Sequence, residues 1–256
     1  MKIRAKKCFG QNFLNNKSVI LNIIKVADIE NKNVIEIGPG HGALTFELLN
    51  KIKTLKAFEI DNELYNELTN KIKQENVVIK NQDFLEYDFN EEQNVVVIGN
   101  IPYNITSDIL FHLIKYNHKI KKATLMVQKE VAERIIAKPS TKAYSKLTLS
   151  MNFVADCQLA FYVKANNFNP KPKVDSAIIT LDFYKKLELE KNEFLNFIKL
   201  LFQFKRKTLV NNLKNIYNPE KIIKALEILG FDEKIRSESL SLEDTKNLYI
   251  LLNQYE

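Results

Sequence analysis

Short apolar runs alternate with amphipathic stretches from Asn33 onward. Residues 33–37 form one such run; it ends in Gly38-Pro39-Gly40-His41-Gly42, after which residues 43–49 carry apolar side chains at helical spacing. That order predicts strand, glycine turn, helix. Residues 54–60 read as a second strand, 62–74 as a helix and 77–79 as a third strand. The fourth, 94–98, is so apolar that both of its faces are expected to be covered, as in a parallel sheet. Residues 106–116 and 129–137 have helical spacing and flank a strand at 123–127. Strand alternating with helix implies an α/β fold with a doubly wound, Rossmann-like, mostly parallel sheet. Two β-rich runs close the region, 153–163 and 176–183, and predict a terminal antiparallel pair; Asn166-Asn-Phe-Asn-Pro-Lys-Pro172 separates them.

Strand patterns stop after Tyr184. Residues 194–204 are spaced as a helix, 219–229 as another ended by the C-cap residue Gly230, and Ser241 to Asp244 offers an N-cap box before residues 245–252. The expected division is an α/β domain over 1–184 and a small all-helical domain over 185–256. The apolar run 19–27 is interrupted by Asn22 and Lys25 and is too short to span a bilayer. The basic start, residues 1–10, leads into no apolar stretch, so no signal peptide is expected.

Composition then narrows the class of partner. The 256 residues include 38 Lys and Arg against 31 Asp and Glu, a formal charge of +7. Residues 115–146 contain nine basic and two acidic residues, whereas 61–92 contain nine acids and three lysines. Lys205-Arg206-Lys207 forms a further basic cluster. Such separation predicts one face that attracts a polyanion, nucleic acid first. Only four of the basic residues are arginine, so part of the excess is lysine-rich background. Cys8 and Cys157 have neither metal nor redox spacing, and no metal site is expected. These features together point to a cytoplasmic protein that needs no membrane.

Candidate chemistry lies at the strand ends. The Gly38/Gly40/Gly42 turn lets backbone approach a ligand at a helix N-terminus, and Glu59, ending the next strand, is placed to accept from ribose hydroxyls. Glu36-x-Gly38-x-Gly40-x-Gly42 is shorter than the dinucleotide turn and favours S-adenosylmethionine over NAD. Asp83, after the third strand, would face the same crevice and accept from an adenine amine. Asn100-Ile101-Pro102-Tyr103 follows the fourth strand directly. An exocyclic base amine is a poor nucleophile because its lone pair is delocalised. The Asn100 amide oxygen and a neighbouring carbonyl can accept its N–H bonds, Pro102 stiffens the turn, and Tyr103 can stack on the base.

At these residues the chain resembles the S-adenosylmethionine-dependent rRNA adenine N6-dimethyltransferases, in particular the small-subunit dimethyladenosine transferases. The resemblance is carried by Lys7-Cys-Phe-Gly-Gln-Asn-Phe-Leu14, Ile37 to Thr45, Phe58-Glu-Ile-Asp61, Gln82-Asp83, Gly99 to Ile105, Met126 to Ala132, Phe168 to Ala177, Phe204 to Leu209 and Asn211 to Leu213. It implies a class I methyltransferase domain followed by a helical RNA-recognition domain. Asn12 and Leu14 would close over the methionine end of the cofactor. Gly38 would approach the cofactor, and Glu59 and Asp83 would hold its ribose and adenine. Asn100 and the Ile101 carbonyl would hold the target N6 between Tyr103 and Phe168, the latter exposed on its loop. Lys205, Arg206 and Lys207 would contact RNA.

The implied reaction is dimethylation of two adjacent adenines in the 3′-terminal hairpin of small-subunit rRNA, within the 30S particle or its precursor, by a monomer. Val163-Lys164-Ala165 departs from the Val-Pro-Pro usual in this family and predicts a more mobile stacking loop. Ile101 in place of leucine is expected to be neutral. His41 is expected to be an exposed position of the turn. The alternatives are a resistance-type methylase of large-subunit rRNA, a non-catalytic assembly or transcription factor, and an NAD-dependent oxidoreductase. Phe9-Gly-Gln-Asn12 and the Pro39 turn count against the first, the intact Asn100 motif against the second, and the missing third dinucleotide glycine against the last.

Overall fold

The computed structural model describes Lys6 and residues 10–253. Lys7, Cys8 and Phe9 of the first motif, and the basic Lys2 and Arg4, lie outside the described residues. The described residues divide into two compact units: Met1–Ala132 with Ala155–Lys185, and Glu133–Val154 with Lys186–Glu256.

The first unit is built on a seven-stranded sheet. Its elements are β1 (Phe13–Leu14), α1 (Lys17–Ala27), β2 (Asn33–Ile37), α2 (Thr45–Leu48), β3 (Thr54–Phe58), α3 (Asn62–Lys71), β4 (Val77–Lys80), β5 (Val95–Asn100), α4 (Thr106–Lys115), β6 (Ile120–Gln128), the start of α5 (Lys129–Ile135), β7 (Ala155–Val163), β8 (Phe168–Asn169) and β9 (Ser176–Phe183). Sheet order is β4-β3-β2-β5-β6-β9-β7. The first five strands run parallel, and β9 lies antiparallel between β6 and β7. The chain passes from β2 outward to β4 and returns to β5 on the other side of β2, so the sheet's switch point lies between β2 and β5, where doubly wound proteins open a crevice.

The central strand forms because it is apolar on both faces: Val95 to Ile98 are completely buried. On one face α1 is started by Asn16, whose side chain accepts from the Ser18 and Val19 amides, and it buries Ile20, Ile23, Ile24 and Ala27. On the other an aromatic cluster joins Phe58, Phe84, Tyr87, Phe89 and His112. The sequence shows no periodicity for the two-residue strands β1 and β8, yet they pair antiparallel, Leu14 opposite Phe168.

The second unit contains α6 (Lys146–Val154), α7 (Lys191–Leu201), α8 (Leu209–Leu213), α9 (Pro219–Ile228) and α10 (Leu242–Asn253). Gly230 follows α9 with φ +77°, and the Ser241 and Asp244 side chains cap each other's amides before α10. The core holds Phe194, Phe197, Ile198, Leu213, Leu226 and Leu248.

Two details differ from a single cut near residue 184. Residues 153 and 154, expected to begin a β-rich run, instead end a helix over 146–154, and 133–154 group with the C-terminal helices. Phe153 packs on Phe194 with ring centroids 4.5 Å apart, Tyr144 donates to the Leu240 carbonyl at 2.7 Å, and the Ser140 amide donates to that of Glu238. No helix of the described residues is long and apolar enough to cross a membrane.

Candidate active site

The crevice at the switch point is lined by the ends of β2, β3 and β5 and by the entering segment around β1. The crevice is open to solvent. Asn12, Leu14, Gly38, Gly40, Glu59, Asp83, Asn100, Ile101, Pro102 and Tyr103 all line it.

The glycine turn is held in place by a carboxylate. Gly38 and Gly40 have φ of +62° and +60°, which favours glycine at both. A Cβ on Gly40 would come within 3.1 Å of the Phe13 ring, which would have to give by a few tenths of an ångström. Glu59 is 4% exposed and accepts from the Gly40 amide at 3.0 Å and the Asp61 amide at 2.9 Å. Burial raises its carboxyl above the usual range, and the two amides work against that rise. Each oxygen keeps a lone-pair direction for a further donor. Asp83 starts a 3-10 turn by accepting from the Leu85 amide at 2.9 Å through one oxygen. Its other oxygen is open to an amine.

Asn100 stands at the end of β5, and its Nδ2 donates to the Asn12 carbonyl at 2.8 Å. The entering segment therefore fixes the orientation of the amide, and Oδ1 has no protein partner among the described residues. Pro102 accepts from the Thr106 hydroxyl at 3.0 Å, which ties the turn to the first residue of α4. The Tyr103 and Ser176 hydroxyls are hydrogen-bonded at 2.6 Å, so the start of β9 anchors the ring. Burial raises the Tyr103 phenol, which stays neutral at physiological pH.

Phe168 is not the exposed loop residue that its asparagine- and proline-rich surroundings predict. It is 4% exposed and packs in a core cluster with Leu14, Val163, Met126 and Ile178. It pairs with Leu14, which lines the crevice, but is not itself among the lining residues. The loop before it is held at two points. Asp175 accepts from Lys164 Nζ at 2.9 Å and from the Ala165 amide at 3.0 Å. His41 is half-buried rather than exposed: its ring lies 4.5 Å from that of Phe13, and Nδ1 donates to Glu67 at 2.9 Å.

Among the lining residues to which the sequence reading assigned no role are Phe13, Ile60 and Glu36. Phe13 covers the glycine turn, and its position inside the Gly10 to Leu14 motif was the available signal. Ile60 is an exposed apolar side chain directly after Glu59 at the lip of the crevice. Glu36 is 1% exposed, and its Oε2 has no hydrogen-bond partner among the described residues. Burial, with the nearby Glu59 charge, pushes its carboxyl up to about 8. Lys205, Arg206 and Lys207 are exposed in the second unit, on the turn between α7 and α8.

The family described as ribosomal RNA adenine dimethylase matches residues 2–254. The chain is 53% identical over 252 residues to a ribosomal RNA small subunit methyltransferase A of Metamycoplasma arthritidis, covering 98% of each chain. It is 45% identical to the protein of that name from Mycoplasmopsis pulmonis, over 98% of this chain and 100% of the other. Among solved structures, a dimethyladenosine transferase from Plasmodium falciparum aligns with a TM-score of 0.84 at 30% identity, covering 94% of this chain and 98% of that one. The 23S rRNA methyltransferase ErmE aligns at 0.77 and 28% identity, covering 95% and 100%. A match that spans nearly the whole chain, over a crevice that unites the glycine turn with the Asn100 motif, shows that this chain belongs to the ribosomal RNA adenine dimethylase family.

Proposed function

We propose that the chain dimethylates N6 of two adjacent adenines in the 3′-terminal hairpin of small-subunit rRNA, as a cytoplasmic monomer acting on the 30S particle or its precursor. The observation that carries this reading is the fixed Asn100 amide. Its NH₂ group is committed to the Asn12 carbonyl, which leaves Oδ1 as the atom presented to the crevice.

The residues present fit S-adenosylmethionine, the cofactor of this family. Gly38 has no side chain on the crevice wall, and Glu59 and Asp83 each retain an acceptor site toward the crevice. Asn12, Leu14, Gly38 and Gly40 would bound the methionine end, Glu59 would accept from the ribose and Asp83 from the adenine amine. When bound, the cofactor supplies an electrophilic sulfonium methyl.

The chain's own task is then to make a poor nucleophile reactive and to align it. Oδ1 of Asn100 and the Ile101 carbonyl accept the two N–H bonds of the target amine and favour a pyramidal nitrogen, whose lone pair leaves the ring. Tyr103, steadied by Ser176, stacks on one face of the base, a contact of about 1–3 kcal/mol. Phe168, paired with the crevice-lining Leu14, is the candidate for the opposite face. Pro102 keeps the turn short. The target adenine must leave its stack to enter, and alignment supplies much of the rate. Lys205, Arg206 and Lys207 of the helical unit would hold the folded RNA through its phosphates.

Asn100→Ala tests the reading. It is expected to lower methyl transfer on the order of 10²–10³-fold, as loss of one well-placed polar contact at a reacting centre does. Cofactor affinity, measured by calorimetry, should stay within a few fold; undiminished turnover would overturn the role given to Oδ1.

A further inference from the structure

We propose that Phe204 is a base-stacking residue, its ring lying on an unpaired base of the RNA whose phosphates Lys205, Arg206 and Lys207 neutralise. This rests on the rRNA reading above but on a different part of the molecule. Phe204 is 53% exposed, while Phe194 and Phe197 of the preceding helix are 0% and 2% exposed. The same unit therefore buries large rings where it needs them and leaves this one out.

The exposure is built into the turn. Asn212, on α8 and only 3% exposed, accepts the Phe204 amide at Oδ1 (3.0 Å). Its Nδ2 donates to the Leu201 carbonyl at 2.9 Å and to that of Phe204 at 3.4 Å. The Lys207 amide also donates to the Phe204 carbonyl, at 2.9 Å. Both backbone polar groups of Phe204 are thus held from within while the ring points outward.

The surrounding charge says what covers it. Residues 194–218 include Lys199, Lys205, Arg206, Lys207 and Lys214 and no acidic residue. Among the described residues, Lys205, Arg206 and Lys207 form no ion pair. A ligand for this turn must be anionic and also offer a flat apolar face, and an unstacked nucleotide does both. A lipid surface is disfavoured, since a single ring on a short turn lacks the broad apolar face by which proteins enter bilayers.

The test uses the full chain and undermethylated small ribosomal subunits, with dissociation constants read by co-sedimentation and methyl transfer read separately. Phe204→Ala and Phe204→Leu are expected to weaken binding on the order of tenfold, and Phe204→Trp to keep it within about twofold, because stacking needs a π face. The slope of log affinity against log salt should be unchanged by Phe204→Ala and reduced by Lys205→Gln or Arg206→Gln, since only the cations release counterions. Wild-type affinity in Phe204→Ala, or full recovery in Phe204→Leu, overturns the proposal. Binding that weakens as expected, in a chain that transfers no methyl group, sustains the stacking role and overturns the enzymatic reading instead. A wild-type chain that does not sediment with the particles overturns both.

Discussion

At the scale of single residues, the proposed reaction centre is a set of side chains whose freedom has been removed by neighbours outside the motif. Asn100 owes its orientation to a backbone carbonyl at Asn12, and Tyr103 owes its own to a hydroxyl at the start of β9. Ser176 is fully buried and paired in the sheet on both sides, to Gln128 and Val163, so it offers Tyr103 a fixed point. Loss of that hydrogen bond through Ser176→Ala should cost about 1 kcal/mol, a roughly fivefold fall in kcat, with thermal stability little changed. The discriminating result is the double variant: in a Tyr103→Phe background, Ser176→Ala should have no further effect on kcat. An equal fall in both backgrounds would show that Ser176 acts on something other than Tyr103. Phe168 shows how far residue-level reading reaches. Its chemistry was legible, but its exposure was not, because burial was decided by a partner strand 154 positions away in the chain, at Leu14.

At the scale of elements, legibility followed burial. The strands β2, β5 and β9 stand out in the sequence because sheet neighbours and helices cover them, which demands branched apolar residues along their length. Helix α6 was hidden for a related reason: seven of its residues, from Leu147 to Val154, are buried, so it has no polar face to mark a helical period and merges with the strand that follows. The β2–α2 turn was the most legible element, since three glycines at alternate positions leave few other readings. The least visible group, Glu36, lies just before it on β2.

A carboxyl near 4.5 when unfolded and about 8 when folded retains a proton that the unfolded chain has already released. Between those values folding stability falls as pH rises. Without cofactor, the wild-type melting temperature is therefore expected to decline from about pH 5 to about pH 8, and Glu36→Gln to flatten that decline and to melt higher at the alkaline end. Parallel profiles for the two proteins would show that Glu36 is ionised in the fold.

At the scale of the whole molecule, the proposed function divides two tasks between the two units. Glu59 and Asp83 line the crevice at or beside the acid-rich stretch 61–92, while cations concentrate in residues 115–146 and around Phe204. Charge alone identified only an anionic partner, and the crevice narrows that partner to an RNA base that must be delivered out of its stack. The central claim is the identity of that base. Methyl transfer from labelled S-adenosylmethionine to unmethylated small ribosomal subunits, followed by identification of the modified nucleoside, tests it most directly. The expected product is N6,N6-dimethyladenosine in the 3′-terminal hairpin of small-subunit rRNA. Label confined to large-subunit rRNA, or no label on particles that the chain demonstrably binds, would contradict it.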